Sequence, residues 1–394
     1  MKRKILAVGL AAAMVLVPAV GCSDAGEAED VSEYRLDAYM RPVWEGTQVV
    51  NETAMILRNA DGSLPEIGLL YDIEEVVAVR NYALDKLYTA GEDYSVRDGK
   101  LIISEDGAIA SDLALDYDGY YFPVYREGDL LATGGGGLLS TEASYGLQGL
   151  GKWQISVTYT HAETDSPIGV PQTHSEKFQR TISKLESGEQ TNIVCLGDSI
   201  SAGWSASGYT YCNISPWCPP YFELAAAYLG EYYGNANVNA ANFSVGGMTS
   251  AWGCEAAQIA SIVQESPDLL ILAFGMNDGV SGGLSVETYR QNMLAIVDGV
   301  REQCPDVEVV LVSPMLPNAE VANMLVNQYS YVAALKEIAA ERENVAVADV
   351  GTISFRLLQC KKFRDVSANN VNHPNDFLHR IYAQTVVKTI ADIL

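Results

Sequence analysis

Histidine is nearly absent from this chain, which has four in 394 residues. A mechanism that needs an imidazole titrating near neutrality therefore has few side chains to draw on. Basic residues are also scarce, with 25 Lys and Arg against 50 Asp and Glu, for a formal charge of −25. Such a surface repels phosphate backbones, which excludes nucleic acid as a partner and disfavours anionic polymers as substrates. Beyond residue 20 there is no apolar run long enough to span a bilayer, which takes about 20 residues. The seven cysteines lack the paired spacing of a zinc site, and no metal or other cofactor is implied.

What is present begins with Lys2, Arg3 and Lys4, then an apolar stretch over 5–20 that closes on Ala19-Val20-Gly21-Cys22. A basic start, a short apolar run and small residues mark an exported precursor. The cysteine after the small residues resembles the lipobox of bacterial lipoproteins, with Ala19 where leucine is usual. That resemblance implies a signal peptide over 1–21 and a lipid on Cys22, so that the protein is exported and held to the membrane at the cell surface. An ordinary signal peptide cut near Gly21 is the alternative. Residues 22–33 are small and acidic and read as a flexible tether. An exported chain can oxidise its remaining cysteines. Cys195 is expected to be a buried thiol in a strand, whereas Cys212 and Cys218 share a loop and can bridge each other or Cys254.

The rest divides into two halves. Residues 34–187 carry short segments rich in β-branched and aromatic residues, at 48–57, 100–104 and 153–159, separated by turns such as Asp61-Gly62 and Asp98-Gly99. Long helical periodicity is missing there, and an all-β, sandwich-like domain is expected. The glycine run at 134–137 reads as a loop. Over 190–394, continuous apolar strands at 192–196, 238–244, 268–274, 308–313 and 345–350 alternate with helical patterns. Strands buried on both faces between helices predict a three-layer αβα domain with a parallel five-stranded sheet, whose functional groups gather at the carboxyl ends of the strands.

Those ends carry four short blocks. The first strand runs into Gly197-Asp198-Ser199 and the second into Asn242-Phe243-Ser244-Val245-Gly246-Gly247. The third runs into Gly275-Met276-Asn277-Asp278, and Asn372-His373-Pro374-Asn375 stands near the C-terminus. A serine hydroxyl becomes a nucleophile when a base takes its proton. Of the two histidines in this half, His379 reads as a packing residue of the last helix, which leaves His373 as the base. His161 and His174 belong to the β half and are expected at its surface.

In this order the four blocks resemble the SGNH (GDSL-type) hydrolase family over nearly all of 191–394. The resemblance implies Ser199 as nucleophile, His373 as base, and an oxyanion hole formed by the N–H groups of Ser199 and Gly247 with the Asn277 amide. Most family members place an aspartate three residues before the histidine, where this chain has Asn370. Its side-chain oxygen could accept from the imidazole Nδ1 and fix the tautomer, so Asn370 is the candidate orienter. A β-domain ahead of such a domain is similar to two-domain carbohydrate acetyl esterases. The expected substrate is an acylated small molecule or polysaccharide, with Trp204, Tyr209, Tyr211 and Trp217 as possible contacts to it. The alternatives are a non-catalytic glycan-binding surface lipoprotein, a short-chain lipid esterase and an acyltransferase.

Overall fold

The computed structural model describes residues 28–122, 138–139 and 149–394. The signal segment, Cys22 and the glycine run at 134–137 lie outside the described residues. No helix among the described residues is long and apolar enough to cross a membrane.

The first half contains seven strands: β1 (Gln48–Met55), β2 (Glu66–Ile67), β3 (Glu75–Asn81), β4 (Leu87–Tyr88), β5 (Tyr94–Arg97), β6 (Lys100–Ile103) and β7 (Gln154–Thr160). They form two antiparallel sheets, ordered β1-β7-β3-β4 and β2-β6-β5. The half is β-rich rather than all-β, since short helices stand at Leu36–Tyr39, Ala108–Leu113 and Tyr117–Tyr121. An exposed sheet face would show alternating burial, yet β1 and β7 are buried almost throughout. Side chains on their second face reach the other half of the molecule. Thr53 of β1 donates to the Asp365 carbonyl, and Gln154 of β7 donates to the carbonyls of Arg364 and Ser367.

Residues 179–187, grouped above with the β half, form a helix that belongs with the parallel sheet. The N–H groups of Arg180 and Thr181 donate to Glu308, and Lys184 pairs with Asp268. That sheet holds β8 (Thr191–Gly197), β9 (Val238–Asn242), β10 (Leu269–Ala273), β11 (Glu308–Val312) and β12 (Val345–Ala348) in the order β12-β11-β10-β8-β9. All neighbours are parallel, as the unbroken apolar strands predicted. The strand order reverses between β8 and β10, and ligands of open α/β sheets bind at such a switch point, beyond the carboxyl ends of the strands. Two short helices, Ser250–Gly253 and Ala256–Gln264, follow β9, and Val350–Cys360 forms a helix directly after β12.

The two halves share one core, which runs from Val49 and Tyr159 into Tyr382 and Val387. Its axis is the last helix, Asp376–Ile390, nearly all of which is buried. From that helix Arg380 donates to the carbonyls of Tyr39 and Val50, and Gln384 to those of Tyr39 and Arg41. Lys361 and Glu52 form an ion pair across the same seam with both side chains fully buried. Glu52 also accepts from Tyr159 Oη and the Leu70 N–H, both at 2.8 Å, so the buried charge is well solvated by the protein. His161, expected at the surface, is buried in the β half, with its ring stacked on Tyr71 at 3.8 Å.

Candidate active site

Two turns on either side of the β8/β10 switch build one side of the site. β8 ends at Gly197, where a Cβ would stand 2.5 Å from both the Ala273 carbonyl and Ser201 Oγ, so only glycine lets the strands close there. Asp198 follows in extended conformation and caps the short helix Ser199–Ala202, its carboxylate accepting from the Ile200 N–H at 3.0 Å. Ser199 thus stands at the first helical position, where its N–H has no intrahelical acceptor.

The loop after β9 is drawn to the same place. The Val245 N–H donates to the Gly197 carbonyl at 3.1 Å, and Asn242 Nδ2 donates to the Ser201 carbonyl at 2.7 Å. Gly247 adopts φ +79°, and no heavy atom lies within 4 Å of where its Cβ would be. From the third block, Asn277 Nδ2 donates to the Met248 carbonyl at 2.9 Å, which orients the amide and leaves its second N–H free of that bond. The neighbouring Asp278 accepts from the N–H of Ser250 at 2.8 Å and of Gly275 at 3.1 Å, so it fastens these loops and faces no histidine.

His373 arrives on a loop wound around a single asparagine. Asn369 Oδ1 accepts from the N–H groups of Val371, Asn372 and His373 at 2.9, 3.0 and 2.9 Å, and Ser367 Oγ donates to the His373 carbonyl at 2.8 Å. So placed, His373 Nε2 lies 2.9 Å from Ser199 Oγ. The Trp204 ring stands edge-on to the imidazole at 5.7 Å and rests against Gly246.

Asn370 does not orient this ring. It takes φ +63° and turns its buried amide the other way. Its Nδ2 donates to the Leu139 carbonyl at 2.6 Å, while its Oδ1 accepts from Tyr120 Oη and Asn318 Nδ2, both at 3.2 Å. At Nδ1 of His373 stands Ser205 Oγ, 3.3 Å away. Nothing in the spacing from the histidine singles out Ser205. Its signal is three-dimensional, a non-glycine residue at φ +72° beside the site. Asn369 was legible only as part of an asparagine-rich run.

Without a carboxylate partner, His373 is held below its ordinary pKa, at about 3, by burial and by the neighbouring His379. Three buried carboxyl groups shift upward, Asp278 among them through its burial. Burial lifts Asp198 to about 7, with the Asp278 charge adding to it, and lifts Asp376 to about 6 against the hydrogen bonds it receives from Ser207. The imidazole is therefore a neutral base throughout the mildly acidic range, as proton abstraction from a serine requires.

Of the four aromatic residues after the nucleophile, Trp204 borders the histidine and Tyr209 packs beside Cys212 and Ala368. Tyr211 and Trp217 are exposed, at 61 % and 58 %. Cys218 and Cys254 are free thiols, so neither bridges Cys212, and Cys195 is the buried thiol expected. Among the described residues no group of three His, Cys, Asp or Glu side chains is placed to hold a metal ion.

This arrangement of turns on a 2-1-3-4-5 parallel sheet is an SGNH/GDSL-type esterase fold. Residues 195–381 match the GDSL-like Lipase/Acylhydrolase family, and with the Ser199–His373 pair this classes the C-terminal half as an SGNH-type carboxylic ester hydrolase. No curated protein matches the chain. Among solved structures, it is similar to a two-domain esterase (CEX) active on acetylated mannans, at 18 % identity and a TM-score of 0.42, over 55 % of this chain and 53 % of that one. The match thus spans about half the length of that protein. A catalytic mutant of Axe2, an acetylxylan esterase from Geobacillus stearothermophilus, is similar at 19 % identity and a TM-score of 0.42, over 51 % of this chain and 94 % of that one. TesA is similar at 21 % identity and a TM-score of 0.39, over 52 % of this chain and all of that one.

Proposed function

We propose that the protein is a serine esterase that removes short-chain acyl groups, acetyl above all, from carbohydrate. The observation that carries the reading is the 2.9 Å contact between Ser199 Oγ and His373 Nε2 at the mouth of the sheet. Ser199 Oγ attacks the ester carbonyl carbon as its proton passes to His373 Nε2. The negative charge then developing on the carbonyl oxygen is met by the N–H groups of Ser199 and Gly247 and the Asn277 amide. Collapse of the tetrahedral species breaks the bond to the alcohol oxygen, which takes the proton from Nε2. Water repeats the sequence on the acyl-enzyme and releases the acid.

Exposed Tyr211 and Trp217, on the loop that begins beside the histidine, support a sugar as the alcohol part, since aromatic faces stack on sugar rings. The high negative charge of the chain favours neutral glycans over acidic ones. Export and a lipid on Cys22 belong to the same proposal, supported by the basic start, the apolar run and the small residues before that cysteine. Loss of labelled-palmitate incorporation in Cys22→Ala tests the anchor.

The purified protein is expected to release acetate from acetylated xylan or mannan and to be labelled by a fluorophosphonate at Ser199. Ser199→Ala should abolish both. Acetate release that survives this substitution would sink the mechanism. A wild-type protein that takes no label would make glycan binding without catalysis the better reading.

A further inference from the structure

The imidazole of His373 has two faces, and the proposed chemistry uses only Nε2. Something must hold the proton on Nδ1, because a ring protonated at Nε2 has no lone pair for the serine. Among the described residues no carboxylate does this, and the amide of Asn370 is committed elsewhere. The group at Nδ1 is the hydroxyl of Ser205, 3.3 Å away and only 4 % exposed.

Ser205 is fixed in place from both sides. Its φ of +72° is a conformation that non-glycine residues adopt only under strain, so the surroundings must impose it. Just before it, the Trp204 carbonyl lies 3.3 Å from His379 Nε2, and the Trp204 N–H donates to the Ser199 carbonyl at 2.9 Å. Two residues after it, the Ser207 N–H donates to the buried carboxyl of Asp376 at 2.8 Å, and Ser207 Oγ accepts from the Cys218 N–H at 2.8 Å. His379 and Asp376 both sit in the first two turns of the helix that follows His373. The stretch of chain that carries the base therefore also carries the clamps that press Ser205 against it.

We infer that Ser205 is the positioning residue of the site, its hydroxyl oxygen accepting the Nδ1–H of His373 and so presenting Nε2 as the acceptor for the Ser199 proton. When Nε2 takes that proton, the ring is an imidazolium with a donor on each nitrogen, and Ser205 Oγ must then be an acceptor. A hydroxyl dipole stabilises this cation less than a carboxylate would, so Ser205 fixes the tautomer more than it raises basicity. Asp376 and His379 act through the loop and touch no reacting atom.

This inference rests on the esterase reading, and two substitutions separate them. Ser205→Gly removes the hydroxyl while supplying the residue best suited to φ +72°; Ser205→Ala removes it and keeps the backbone strain. Losing a hydrogen bond to a group that becomes charged costs about 10- to 100-fold in rate. Both variants should therefore lose about that much in kcat on nitrophenyl acetate, with KM unchanged. In protein carrying ¹⁵N-histidine, the His373 resonances should report the Nδ1–H tautomer in the wild type and a mixture in Ser205→Gly. A Ser205→Gly protein with wild-type kcat and a pure Nδ1–H tautomer would overturn the assignment, whatever Ser205→Ala does. If Ser199→Ala is dead while Ser205→Gly keeps wild-type kcat, the assignment falls and the esterase reading stands. If Ser199→Ala remains active, the esterase reading itself falls.

Discussion

The serine turn and the histidine loop meet at 2.9 Å yet are held in different ways. The serine turn is supported from within the parallel sheet, with Gly197 against the Ala273 carbonyl and Asp198 capping the helix beyond. The histidine loop is supported from outside that sheet. Tyr120, Leu139 and Leu150 of the N-terminal half bind Asn370 and the Ala368 carbonyl, and Thr53 and Gln154 bind Asn375. The nucleophile belongs to one half of the molecule, and the base is positioned by both. An N-terminal half so connected is part of the catalytic scaffold and does more than carry or target the enzyme.

The seam is the first place to test the difference. Lys361→Met leaves Glu52 as a buried charge without its counter-ion, at a cost of about 3–5 kcal/mol. Denaturant unfolding should show that loss, and because the seam supports the histidine loop, kcat should fall before the parallel sheet melts. Activity that survives after the N-terminal half has unfolded would mean that the two halves are independent. The opposite signature belongs to the oxyanion side. Asn277→Ala should lower kcat by about 100- to 1,000-fold, with a melting temperature close to that of the wild type, since its one structural bond is to the Met248 carbonyl.

A smaller and more pointed effect is expected at Asn370. Asn370→Asp restores the carboxylate usual in the family, but it replaces the Nδ2 donor to the Leu139 carbonyl with a repelling oxygen. Leaving such a buried acceptor unsatisfied costs about 1–3 kcal/mol. We expect lower stability and lower kcat together, with no gain in activity; a faster enzyme would show that the loop can turn to form a triad. The smallest effect concerns pH. A base held at about 3 stays neutral as the pH falls from 7 to 5, so the His373 ring resonances should not titrate across that range, in which Asp198 and Asp376, at about 7 and about 6, do. An ordinary imidazole would already be mostly protonated at pH 5, and a His373 ring that titrates by that pH would contradict the environment described for it.

The same contrast explains what could be read in the chain beforehand. The parallel sheet was legible because most of its strands are apolar runs, the edge strand β9 being polar and partly exposed, and Ser199 was legible because four short blocks stand in order at strand ends and near the C-terminus. The role of Asn370 was not legible, because its partners Tyr120 and Leu139 lie more than 200 positions away and no spacing rule reaches them. Ser205 was hidden for a related reason, since its place depends on clamps from Asp376 and His379. That the second face of β1 and β7 is covered was likewise not legible in the β-rich half alone, because the groups that meet it, from Arg364 to Asn375, come from near the far end of the chain.

The anchors of the histidine loop on the β-rich side, from Thr53 to Gln154, all precede the parallel sheet in the chain. Synthesis runs from the amino terminus, so the mould for the loop is complete before His373 has been made. The base can take up its position only once the last helix has docked against that mould. The catalytic pair is then among the last features of the fold to be completed, and a nascent chain that still lacks the last helix has no placed base.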